Sequence, residues 1–214
     1  MRDIPVFATE YGVASLVLQE IPYSLKAYIK IQDTAQPEKF IQECKDFCSM
    51  AGAEKIYATG HVSLETFPVY TTIYQMGKCL KNLEKTDAVL IPVQEQTLQQ
   101  WKEIYNQKMA SVPNSAYMTE QKARQMLEKG DGYFVYRNES LLGIGMTSGD
   151  KIDAVAAVMS GGGREIVLAL CSALSADTAF LDVASQNTKA IRLYERLGFT
   201  IRAELSKWYE ILCI

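Results

Sequence analysis

At 214 residues, with 48% apolar and 22% charged side chains, the chain has the composition of a globular protein rather than a disordered one. It is long enough to bury a sizeable core as one large domain or two small ones. The net charge of −3 argues against a nucleic-acid binder with a basic face, no apolar run reaches membrane-spanning length, and the start M-R-D-I-P lacks a signal-peptide core, so a cytoplasmic location is expected, without membrane or nucleic-acid partners.

In chain order, residues 14–21 and 25–31 alternate apolar and polar positions around Pro22 and predict a hairpin-like pair of strands. Residues 33–37 form a loop with Pro37 near a helix start. Phe40, Ile41, Cys44, Phe47, Cys48 and Ala51 then recur at helical spacing until Gly52. Residues 55–59 read as a strand, and residues 69–76 fit either a strand or a short helix. The five cysteines are odd in number and scattered, which predicts reduced thiols. Cys44 and Cys48 share one apolar helix face, a core-packing pattern, and no Cys/His pair accompanies them, so no metal site is expected. His61, the single histidine, has no Ser, Asp or Cys partner that the sequence can place; a surface or structural role is expected, and a His-dependent triad is not.

Residues 81–87 are polar and charged and make the best linker candidate, dividing the chain into residues 1–86 and 87–214. Beyond it, residues 88–93 read as a strand, with Pro92 at a strand end or sheet edge. Leu98, Trp101, Ile104, Tyr105 and Met109 space a helix; Thr119 caps another that carries Ala123, Met126 and Leu127 and stops at Gly130. Strands follow at residues 132–137 and 140–146, joined at Asn138-Glu139, and a third at residues 152–158 after the turn Ser148-Gly149-Asp150. A glycine run leads to a helix over residues 166–174. The last two strands are expected at residues 200–205 and 207–213, paired about Ser206. Residues 38–58 and 165–183 both run from helix to strand with Cys44 and Cys171 in register, which leaves an internal duplication open.

The most informative stretch is residues 182–199, D-V-A-S-Q-N-T-K-A-I-R-L-Y-E-R-L-G-F. A short buried strand ends at Gln186 and Asn187. A helix follows with Ala190, Ile191, Tyr194 and Leu197 on one face, and Gly198 stands where a left-handed cap belongs. Tyr194 lies two turns after Asn187 on the same face. Periodicity alone describes a packed core helix. The string Asn187-x-x-Ala190-x-x-x-Tyr194-x-x-x-Gly198-Phe199, however, resembles the carboxyl-terminal motif of the GNAT superfamily of N-acetyltransferases, which use acetyl-coenzyme A. The order of elements over residues 87–213 is similar to the layout of that family.

The resemblance implies an α/β (α+β) fold with a mixed, mostly antiparallel sheet flanked by helices, and a degenerate GNAT-like, non-catalytic amino-terminal half. It implies that Asn187 touches the pantetheine arm of acetyl-coenzyme A, or of another acyl-coenzyme A, and that Tyr194 protonates the departing thiolate. A strand edge at Val155, Ala156, Ala157 and Val158 would pair with the pantetheine amides, and the N–H groups of residues 156–158 would polarise the thioester carbonyl. The loop Gly161-Gly162-Gly163-Arg164-Glu165-Ile166 opens a helix, whose N–H donors suit a diphosphate. That loop departs from the family: its three consensus positions are Gly162, Glu165 and Val167 here. Glu165 either satisfies the helix dipole or opposes the diphosphate. No P-loop lysine follows the glycines.

Asp153 stands where many members of the family carry the general base; Glu204 and Asp182 are fallbacks. The favoured function is direct acyl transfer, acetyl by expectation, to a primary amine of a small molecule or peptide. The alternative is a catalytically inactive GNAT-like module that binds acyl-coenzyme A or a protein partner. Homodimerisation is left open.

Overall fold

A computed structural model describes residues 5–213 and divides the chain into two compact units, Met1–Ile73 with Glu204–Ile214, and Tyr74–Ala203. The carboxyl-terminal strand returns to the first unit, and residues 80–88 belong to the second.

In the first unit, β1 (Val6–Thr9) pairs antiparallel with β2 (Gly12–Val17). The helical turn α1 (Ile21–Ser24) then carries Pro22 at its start and ends at Leu25 in the left-handed region. β3 (Lys26–Thr34) pairs antiparallel with β2, which gives the expected pair of strands. β1 lies outside the predicted elements because its alternation is mostly of half-exposed residues. Helix α2 (Pro37–Met50) crosses to β4 (Lys55–Thr59), which lies parallel to β3. Phe40, Ile41, Cys44 and Cys48 of α2 are buried against Leu16, Ile29 and Ile56 of the sheet. Burial pushes the Cys44 and Cys48 thiols up, to about 12 and about 11, so both stay protonated packing groups. His61 caps a short 3₁₀ turn (Val62–Thr66), its Nδ1 accepting from the Ser63 N–H at 3.2 Å.

β5 (Val69–Cys79) is a strand throughout and runs through both units. In the second unit, β6 (Val89–Pro92) is the edge strand and ends on Pro92, where no ladder donor is needed. α3 (Leu98–Met109) and α4 (Glu120–Lys129) follow; Thr119 Oγ1 accepts from the Lys122 N–H, and Gly130 closes α4 at φ +70°. β7 (Gly132–Arg137), β8 (Ser140–Ser148) and β9 (Lys151–Ala157) form an antiparallel meander. Its first turn uses positive φ at both Asn138 and Glu139, the geometry that suits a two-residue hairpin. α5 (Gly163–Ala173), β10 (Thr178–Ala184), α6 (Thr188–Arg196) and β11 (Thr200–Cys213) complete the chain. β11 is one continuous strand rather than two paired about Ser206.

Strand order in this unit is β11-β5-β10-β9-β8-β7-β6, with β9 and β10 parallel and joined through α5. α5 and α6 pack on one face, with Ile166, Val167, Leu170, Leu181, Val183 and Tyr194 in one apolar cluster. α3 and α4 cover the other face through Trp101, Tyr105, Met126, Ile144, Ala154 and Ala156. Lys78 donates to the Leu197 carbonyl at 2.5 Å, placing a cation at the carboxyl end of α6. Among the described residues, no helix is long and apolar enough to cross a membrane, and no three His, Cys, Asp or Glu side chains are grouped as a metal would require.

Candidate active site

β9 and β10 are paired only where β9 begins, Lys151 with Phe180 and Ile152 with Leu181. The cause is local. On the β8 side, Ile152 opposes Thr147 and Ala154 opposes Met146, which leaves Asp153 as an extra residue. Such a bulge bends its strand and raises the local twist. Beyond it, β9 stays in register with β8, Ala156 opposite Ile144 and Ala157 opposite Gly143, and separates from β10.

The Val158 and Met159 N–H groups both donate to the Leu142 carbonyl, at 2.9 and 3.1 Å, and end the strand. Counting back from Val158 by twos, Ala156 directs its backbone groups at β8, whereas Val155 and Ala157 present theirs to the gap. The side chains of Val155 and Ala157 lie with the α5–α6 cluster, and that of Ala156 lies with α3 and α4. Of the four residues expected to supply the edge, Val155 and Ala157 are thus the available pair. Val158 is not a free donor.

The glycine run turns the chain from β9 into α5. Gly161 takes φ +82°, and Gly162 donates to the Met159 carbonyl at 3.1 Å and stands at the helix N-cap. A Cβ on Gly163 would come within 2.9 Å of Leu193 Cδ2, so this glycine brings α5 close to α6. The first intrahelical donor is Ile166, bonded to the Gly162 carbonyl at 3.1 Å, and its side chain is fully buried. Its N–H is used within the helix, so Ile166 is core and not a donor to a ligand. Gly163, Arg164 and Glu165 contribute the unpaired N–H groups of the first turn.

The charged side chains there are already partnered. Thr86 Oγ1 donates to Glu165 Oε2 at 2.5 Å, Arg164 Nη1 donates to Glu165 Oε1 at 2.7 Å, and Arg164 Nη2 donates to Glu84. The Thr86 hydrogen bond, then Arg164, hold the Glu165 carboxyl below its ordinary range despite partial burial. Glu165 therefore faces Arg164 and Thr86. Neither Glu84 nor Thr86 is marked by any local pattern, because both lie some eighty residues before their partners.

On α6, Asn187 is the N-cap, its Oδ1 accepting from the Ala190 N–H at 3.3 Å. Its Nδ2 is the remaining donor. Ala190 and Tyr194 pack into the same cluster as Val155, Ala157 and Ile166. Tyr194 is 9% exposed, 5.9 Å from the Phe199 ring between centroids. Among the described residues its hydroxyl has no hydrogen-bond partner, and burial pushes its pKa up to about 12, which keeps the proton on.

Asp153, the bulge residue, is exposed and accepts a hydrogen bond from Ser148 Oγ. Of the two fallback carboxylates, Asp182 is paired with Lys151 at 2.5 Å, and Glu204 lies in the first unit, 4.0 Å from Lys207.

No protein-family profile and no curated protein sequence matches the chain. Solved structures do match. A conserved protein of unknown function from Staphylococcus epidermidis ATCC 12228 shares 14% identity over 98% of this chain and 94% of its own, with a TM-score of 0.62. A GCN5-related N-acetyltransferase from Sphaerobacter thermophilus shares 13% over 94% of this chain and 78% of its own, at 0.59. An acetyltransferase of the GNAT family from Colwellia psychrerythraea shares 14% over 96% and 84%, at 0.50. The likeness reaches well beyond residues 87–213, where the sequence motif lies. At these identities it is a likeness of fold, and the fold of this chain is GNAT-like: a mixed, mostly antiparallel sheet flanked by helices.

Proposed function

We propose that this chain transfers an acyl group, acetyl in the simplest case, from acyl-coenzyme A directly to a primary amine on a small molecule or peptide. The observation that carries this reading is the opening of β9 from β10 at the Asp153 bulge, with Tyr194 and the first turn of α5 against the same apolar cluster. Catalysis is assigned to the second unit, since the first has no counterpart of the Asn187 and Tyr194 pair. Acetyl-coenzyme A held there would supply the acetyl group as an activated thioester.

The residues fit such a group in two of three respects. Val155 and Ala157 offer backbone groups to an extended pantetheine, as a sheet edge does to an added strand. Gly161 to Gly163 permit close approach at a helix N-terminus, where anions sit favourably. The third respect, a free cation, is where the fit is poor, because Glu84 and Glu165 engage Arg164. That contact favours the second reading, a module that has kept the scaffold without turnover.

In the catalytic reading, the Ala157 N–H polarises the acyl carbonyl, Asp153 receives the proton of the amine at its carboxylate, and Tyr194 gives its phenolic proton to the sulfur. Asp153 suits that task better than Asp182 because, among the described residues, no cation is paired with it.

Calorimetry with acetyl-coenzyme A tests the reading, with a dissociation constant of about 1 μM to 1 mM expected by analogy with metabolite sites. No heat and no thermal shift at millimolar ligand would remove the enzyme and the acyl-coenzyme A-binding module together.

Asn187 separates capping from binding. Asn187→Ala removes the Oδ1 acceptor and costs about 1 kcal/mol, a fall in Tm of roughly 2–4 °C. Asn187→Asp keeps an acceptor at the cap and should melt with the parent protein, yet it lacks the Nδ2 donor and should bind acetyl-coenzyme A more weakly. Equal affinity in Asn187→Asp would leave Asn187 a helix cap and nothing more.

A further inference from the structure

We propose that residues 80–88 form an autoinhibitory strap whose Glu84 carboxylate stands in for phosphate on Arg164 and must leave before a diphosphate can take its place. The inference rests on the acyl-coenzyme A reading and adds regulation to that same site. Residues 83–88 have no regular secondary structure, yet the segment is fastened on both sides. At one end the Leu80 N–H donates to the Asp177 carbonyl at 2.9 Å, and Leu80 and Leu83 pack onto the α5–α6 cluster. At the other, the Ala88 N–H donates to Thr86 Oγ1 at 3.1 Å, and β6 begins at Val89. Between these anchors, Glu84 reaches Arg164, and Thr86 reaches Glu165.

The charge balance gives the contact its meaning. Two carboxylates, Glu84 and Glu165, engage the Arg164 guanidinium, with Arg137 near enough to act on Glu165 as well, at a helix end that would otherwise attract an anion. Glu165 is the more buried of the two, with 16% of its side chain exposed, and it belongs to the helix itself. Glu84 is 56% exposed and Arg164 46%, so their bond is a surface ion pair, which is individually weak. A diphosphate presents more charge and more acceptor oxygens than one carboxylate and has the advantage in direct competition. The middle of the strap can lift while Leu80 and β6 keep their places, so the exchange needs no unfolding of the sheet.

The test titrates acetyl-coenzyme A and S-acetylpantetheine, which lacks the diphosphate, into the parent protein and Glu84→Gln. Acetyl-coenzyme A should bind about 3–5-fold tighter to the variant, as expected for removing one opposing charge at a helix terminus. S-acetylpantetheine should bind both proteins alike, and the gain should vanish in an Arg164→Gln background. By reciprocity, saturating acetyl-coenzyme A should speed tryptic cleavage after Lys81 or Lys85 in the parent protein. Glu84→Ala gives a second measurement should the glutamine retain a hydrogen bond to Arg164. Unchanged acetyl-coenzyme A affinity in both variants, with the parent protein binding it, overturns the strap and leaves the acyl-coenzyme A reading standing. An equal gain for both ligands also overturns it, since the strap would then act on the slot as a whole. Failure of every protein to bind either ligand removes the acyl-coenzyme A reading, and the strap with it.

Discussion

Tyr194→Phe should lower turnover by about 10²–10⁴-fold while leaving the fold and the acyl-coenzyme A affinity nearly intact. The ring is 9% exposed and packs against Phe199, contacts that phenylalanine keeps. Among the described residues the hydroxyl bonds to nothing, so its removal leaves no buried partner orphaned and costs less than about 1 kcal/mol. The phenol is pushed up to about 12 by burial, so it carries its proton through neutral and mildly alkaline pH. A lost proton donor is felt mainly as charge develops on the sulfur, which moves kcat and leaves binding almost alone. The measurement is single-turnover acyl transfer on an identified amine, beside calorimetry and a melting curve. Turnover at the parent rate, with chemistry limiting, removes Tyr194 as the acid. A variant that unfolds makes the hydroxyl structural and moves the non-catalytic module ahead.

What the sequence made legible was local. The Thr119 cap, the positive-φ pair Asn138-Glu139 and the stop at Gly198 each depend on a few adjacent residues, and each stands where the pattern placed it. The α6 face was readable for the same reason, since 3.6-residue spacing brings Ala190, Ile191 and Tyr194 together whatever the rest of the chain does. Residues 200–205 alternate polar and apolar as a strand should, but Ser206 reads locally as a turn, and nothing near it in sequence distinguishes one long strand from two paired ones. The return of the last strand to pair with β4 was not legible, because that contact is made across some 150 residues of sequence.

The candidate site was less legible than the fold, and for a physical reason. Residue types can mark a strand edge and a helix start, but which backbone groups face the gap depends on the Asp153 bulge, one residue of register between β8 and β9. That register turned Val155 and Ala157 toward the opening and tied Val158 to Leu142. Glu165 posed a choice between helix dipole and interference that its neighbours in sequence could not decide; its partners, Arg164 and Thr86, make it part of a network. The G-x-G pair in β8, Gly143 and Gly145, was legible as letters and carried no reading. Its role emerges only from what packs on it, the β9 backbone at Gly143 and Leu170 of α5 at Gly145.

Gly143→Ala should be among the most damaging single-methyl changes in the second unit, and the damage should reach the slot. A Cβ there would stand 2.2 Å from the Ala156 carbonyl oxygen, 2.9 Å from Ala157 Cα and 2.7 Å from Ile166 Cδ1. The tip of Ile166 can move aside, but the first two atoms are backbone. Relief requires β9 to shift against β8, which strains the ladder that the bulge has set. Overpacking of this kind costs about 3 kcal/mol, at the upper end of the usual range. In a chain of this size that lowers Tm by roughly 6–12 °C. Gly145→Ala is the matched control. Its Cβ would meet only Leu170 side-chain atoms, at 2.5, 2.7 and 3.0 Å, so a rotation of leucine absorbs part of the clash and the loss should be smaller. Gly149→Ala meets nothing within 4 Å and carries only the strain of φ +61°, so it should be milder still than Gly143→Ala. The Ala157 backbone that Gly143 permits is also the backbone facing the gap. Among folded molecules at low temperature, Gly143→Ala should therefore bind acetyl-coenzyme A more weakly, whereas Gly149→Ala should match the parent. Equal melting of Gly143→Ala and Gly149→Ala would mean that β8 and β9 are not held at this separation. A destabilised Gly143→Ala that kept full affinity would mean that the strand is rigid but the slot lies elsewhere.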